Sequence, residues 1–65
     1  MKTRIKEIRQ SLNMTKEELS KKTKISTKQI YRIENEEINP RIDTLKSIAT
    51  ALNTTVGYLL NENTT

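Results

Sequence analysis

This sequence predicts an all-α fold, a compact bundle of five short helices, on three observations. Two helix-start patterns eleven residues apart, at Thr15 and Ser26, mark a helix, a tight turn and a second helix. Apolar residues recur at three- and four-residue spacing in the segments on either side. The connections between these stripes are only long enough for tight turns.

The paired starts are the most local evidence. Thr15 is a good N-cap and Glu18 stands three residues on, the pattern of a capping box, with Met14 and Leu19 flanking it as a hydrophobic staple. The arrangement then repeats: Ser26 caps, Gln29 closes the box, and Ile25 and Ile30 form the staple.

The elements follow in order. Residues 2–12 read as helix 1, with Ile5, Ile8 and Leu12 on its inner stripe and Asn13 ending it, since Asn tolerates the left-handed conformation. Helix 2 runs over about 16–23 with Leu19 and the small Ser20 inward; a bulky side chain at Ser20 would force the two helices apart. Helix 3 spans about 27–35, with Ile30 and Ile33 as its core face. A loop through Asn39 follows, and Pro40 suits a first helical position. Helix 4 covers about 41–52, its inner stripe being Ile42, Leu45, Ile48, Ala49 and Leu52, with Asn53 past its end. Thr54 or Thr55 caps a short fifth helix through Leu60 that buries Val56 and Leu59. Residues 1–60 form one domain, and 61–65 are expected to be a flexible polar tail.

Composition narrows the function. The chain has no Cys and no His, which removes disulfides, thiol chemistry, the commonest general base and the commonest metal ligand. Its carboxylates fall mostly on outer faces, and Glu36-Glu37 without a third ligand makes no metal site. No enzyme chemistry, cofactor or metal is therefore expected. No apolar run approaches a membrane span, so no membrane partner is expected and the setting is cytoplasmic by default. Two Tyr as the only aromatics argue against a stacking platform for single strands. Charge is uneven: residues 1–32 carry ten Lys and Arg against three Glu, a net +7, while 33–65 carry two against five acids, a net −3. A basic half around the paired helices is the footprint expected for a phosphate backbone, although charge alone fits a solvated surface equally well.

Lys16, Ser20, Lys24, Ile25, Ile30 and Ile33 carry a family resemblance. Their spacing is that of the helix-turn-helix signature, and the flanks RIKEIRQSLNMTKEELS and IENEEINPRIDTLKSIATALNTTVGYLL agree along nearly the whole chain. The sequence resembles the Cro/CI-type (XRE-type) helix-turn-helix family of phage repressors and bacterial regulators, which implies a bundle of the lambda-repressor-like type. It departs from the family at three positions. Lys16 stands where Gln is preferred, Lys24 at the turn Gly, and Glu36 at the Gly usual after the recognition helix. The last two predict local strain, because a non-Gly residue at positive φ is uncommon.

The resemblance implies base-reading positions at Thr27, Lys28 and Arg32. Helical geometry agrees: with Ile30 and Ile33 inward, Thr27, Lys28, Tyr31 and Arg32 share the outer side. Lys28 and Arg32 suit guanine O6 and N7, and Thr27 a thymine methyl. Gln29 is a lesser contact, because its capping role competes, and Tyr31 suits sugar-phosphate. Backbone contacts are expected from Lys16, with its charge and the N–H groups of a helix N-terminus, and from Asn35 and Arg41 on the other side. The Thr15 and Ser26 hydroxyls are expected to cap rather than to touch DNA. The resemblance further implies a buried ion pair between Arg9 and Glu34, with two exposed charges as the alternative. It also implies pairing of two copies through the C-terminal end, with Tyr58 and Leu60 as dimer candidates and a palindromic operator.

The sequence therefore reads as a sequence-specific double-stranded DNA-binding transcriptional regulator, a repressor by expectation, acting as a small whole protein or as the N-terminal part of a longer one. The alternative is a protein-interaction module of antitoxin or anti-repressor type on the same fold, using the acidic half or the apolar C-terminal end.

Overall fold

The computed structural model describes residues 3–60. The predicted tail, 61–65, and the first residue of predicted helix 1, Lys2, lie outside the described residues, as does Met1. Five helices follow one another: α1 Ile5–Ser11, α2 Lys16–Thr23, α3 Thr27–Glu34, α4 Ile42–Ala51 and α5 Val56–Leu59, and the described residues hold no strand.

The starts of α2, α3 and α5 follow from side-chain chemistry, whereas α1 and α4 begin without a side-chain cap. At α2 the Thr15 hydroxyl accepts from Glu18 N at 3.0 Å and the Glu18 carboxylate accepts from Thr15 N at 2.8 Å, so the capping box is complete. At α3 only half of it forms. Ser26 Oγ accepts from Gln29 N at 3.1 Å, but among the described residues no bond returns from the Gln29 amide to Ser26 N, which corrects the predicted box. A neutral amide is a weaker acceptor than the Glu18 carboxylate, which also gains from the positive helix end. Thr55, rather than Thr54, caps α5, accepting from Tyr58 N at 3.1 Å.

Helix ends rest on left-handed residues. Asn13 (φ 55°), Glu36 (φ 63°) and Asn53 (φ 58°) follow α1, α3 and α4. In each case the next residue's N–H reaches back five residues, one more than in the helix: Met14 to Arg9 O at 3.0 Å, Glu37 to Arg32 O at 2.9 Å, Thr54 to Ala49 O at 2.8 Å. These are Schellman closures, and they use carbonyls the helix would otherwise leave unpaired. Lys24 (φ 63°) ends α2, its N–H bonding Ser20 O at 2.7 Å. The Thr23 hydroxyl then donates to Leu19 O at 2.8 Å and accepts from Ile25 N at 3.2 Å, which fastens the turn.

Ile5, Leu19, Ile30, Ile33, Leu45, Ile48, Ala49, Leu52 and Leu59 form one core, with Ile8, Met14, Ile25, Ile38, Val56 and Leu60 packed against it. Two residues of the predicted inner stripes are not in it: Leu12 is 48% exposed and Ile42 is 55% exposed. Leu12 is the C-cap of α1 and Ile42 the first residue of α4, so both sit at helix ends beyond the core's edge. The buried position on α1 that periodicity missed is Arg9, 5% exposed. Helix α1 begins at Ile5, after Arg4 with its non-helical φ and ψ as N-cap, and ends at Ser11, so it is shorter than predicted; Arg4 N bonds Leu59 O at 2.8 Å, which ties the chain before α1 to α5. Arg41, with extended φ and ψ, is the N-cap of α4, so buried Pro40 lies one residue before the cap and not at the first helical position.

Candidate nucleic-acid interface

Helix α3 is strongly two-sided. Ile30 and Ile33 are 0% and 1% exposed, and burying them fixes the rotation of the helix. Lys28, Gln29, Tyr31 and Arg32 are consequently exposed, while Thr27 is half-buried at the edge of the row. At about 100° per residue, Lys28 and Arg32 stand one turn apart on the side opposite the core.

Helix α2 contributes from one side. Lys16 is the first residue of α2, and its Nζ lies 6.0 Å from the centre of the Tyr31 ring, over its face. This contact, which sequence patterning did not suggest, brings the ammonium of α2 and the outer face of α3 into one continuous surface. An open groove of about 390 Å³ between the end of α1 and the start of α2 runs beside it, lined by Gln10, Asn13, Thr15, Lys16 and others. Asn35 is the C-cap of α3 and Arg41 the N-cap of α4, both exposed. Glu36 and Glu37 lie exposed between them in the sequence, so this connection carries carboxylates as well as Arg41.

Arg9 and Glu34 hold the platform from behind. Arg9 Nε donates to Glu34 Oε2 at 2.7 Å and Nη2 to Oε1 at 3.1 Å, with the side chains only 7% and 2% exposed. The alternative of two solvated charges does not describe this pair.

At the far end, Tyr58 is 43% exposed and Leu60 is half-buried. Tyr58 receives the Arg4 guanidinium over its ring at 4.7 Å. That contact joins residues from opposite ends of the sequence and leaves no local signal. Among the described residues no group of three or more His, Cys, Asp or Glu is placed to hold a metal ion, and no helix is long and apolar enough to cross a membrane.

A family model described as helix-turn-helix matches residues 5–59, from the first residue of α1 to the last of α5. Comparison with curated proteins gives no match.

Proposed function

The chain belongs to the Cro/CI-type (XRE-type) helix-turn-helix family of DNA-binding regulators, and on that premise we propose that it is a sequence-specific repressor reading the major groove of double-stranded DNA with α3. One observation carries the reading. The buried Ile30 and Ile33 leave Lys28 and Arg32 side by side in solvent on an exposed face flanked by Lys16. A cationic pair one turn apart on a helix can donate to guanine O6 and N7 within the groove, with Arg32 doing so through two parallel bonds.

Thr27, Lys28 and Arg32 are assigned to bases; Lys16, Gln29, Tyr31, Asn35 and Arg41 to the backbone or to minor contacts. Lys16 brings its ammonium to the start of α2, where the Thr15–Glu18 box already takes up the Thr15 and Glu18 N–H groups, so the charge of Lys16 is what suits a phosphate there. Residues 1–60 are assigned to the DNA-binding domain. Tyr58 and Leu60 are assigned to a two-fold contact, supported by a large aromatic left 43% exposed on the surface of so small a domain. Such a dimer would set two α3 helices about 34 Å apart and require a palindromic operator. Repression is the direction of control that occupancy of DNA accomplishes by itself, and the setting is cytoplasmic.

Binding to a random duplex across a salt series tests the proposal. Contacts to phosphates predict that log K falls steeply with log salt. A flat response, with binding to a protein partner instead, would favour an antitoxin-type or anti-repressor-type module.

A further inference from the structure

We propose that Gln29, freed of the capping bond that would have limited it to a lesser contact, is a specificity-determining residue, its side-chain amide selecting an adenine next to the base pair read by Arg32; the inference rests on α3 being the recognition helix. The starting observation is the asymmetry between the two helix starts. Glu18 spends its carboxylate on Thr15 N at 2.8 Å, whereas Gln29, at the equivalent third position of α3, gives only its backbone N–H to Ser26 Oγ. Its amide makes no hydrogen bond with another described residue, and the side chain is exposed. The main chain at Gln29 is therefore pinned while its polar end is uncommitted.

Position and chemistry then give the target. Gln29 lies in the first turn of α3, the part of a recognition helix that enters the groove. It is three residues before Arg32, about 60° away around the helix axis, on the flank away from Thr27 and Tyr31. An amide offers one donor group and one acceptor. Adenine presents the complement in the major groove, the N7 acceptor beside the N6 amino donor, while guanine presents two acceptors and cytosine only a donor.

Selection of bound duplexes from a random pool, with the intact chain and its Gln29→Ala, Gln29→Glu, Lys28→Ala and Arg32→Ala variants, tests this. The unsubstituted chain should enrich adenine at one position of each half-site by about 5- to 150-fold, the range of a good bidentate contact. Gln29→Ala should flatten that position alone and leave the unfolding temperature unchanged, since the amide makes no bond that supports the fold. Gln29→Glu should move the preference toward cytosine, whose amino group a carboxylate accepts. If Gln29→Ala enriches the same motif at every position while Lys28→Ala or Arg32→Ala alters it, the inference about Gln29 is overturned and the recognition helix stands. If no variant changes the motif, or the unsubstituted chain enriches none, the reading of α3 falls and this inference with it.

Discussion

Arg9 on α1 and Glu34 on α3 meet through two parallel hydrogen bonds, 2.7 and 3.1 Å long, in a site where neither side chain is more than 7% exposed. The third arm of the guanidinium, Nη1, donates to Met14 O at 2.8 Å in the connection before α2. One side chain thus joins α1, the entry to α2 and α3, and braces the helix whose rotation the buried Ile30 and Ile33 fix.

Truncating either partner leaves the other charge buried without a counter-ion. Arg9→Ala or Glu34→Ala should each cost about 3–5 kcal/mol of folding free energy, measured by denaturant unfolding. Replacing both at once, Arg9→Met with Glu34→Leu, should cost much less than either truncation, because no lone charge remains. Losses below about 1 kcal/mol for the single variants would mean that water screens the pair.

Lys24 and Glu36 both hold φ at 63°. A side chain there costs about 1–2 kcal/mol, and glycine returns about 0.5–1 kcal/mol through its greater freedom when unfolded. Lys24→Gly and Glu36→Gly should each stabilise by roughly 0.5–1 kcal/mol, visible as a higher melting temperature. Asn13→Gly and Asn53→Gly, at φ 55° and 58°, should gain less, because Asn already tolerates this region.

Lys16 opens α2 and lies over the Tyr31 ring at 6.0 Å. Lys16→Ala should weaken specific and random duplexes alike and make the salt slope shallower by about one unit. Tyr31→Ala should leave the slope unchanged, because a phenol displaces no counter-ion. Parallel salt titrations of the two variants separate these effects.

Most of the fold was legible because its signals are local. The Thr15–Glu18 box, the bounds of α2 and the left-handed Asn13 and Asn53 follow from neighbouring side chains acting on backbone groups within a few residues. Leu12 and Ile42 were misread because a periodic stripe continues past the point where the helix or the core ends. The Gln29 bond to Ser26 N did not form, since residue spacing alone does not tell a carboxylate from a weaker amide acceptor. Lys16 over Tyr31 and Arg4 over Tyr58 depend on how separate helices come to lie together, which no local pattern encodes. Of the interface, the outward row on α3 was readable from Ile30 and Ile33; the half-burial of Thr27 was not.

The most direct measurement compares Lys28→Ala and Arg32→Ala with the unsubstituted chain on a selected operator and on random duplex at one salt concentration. Each substitution should cost about 1–3 kcal/mol on the operator, relax the preference at one base pair, and cost far less on random DNA. An equal loss on both would contradict the placement of α3 in the groove, because cations that only neutralise phosphate cannot distinguish one sequence from another.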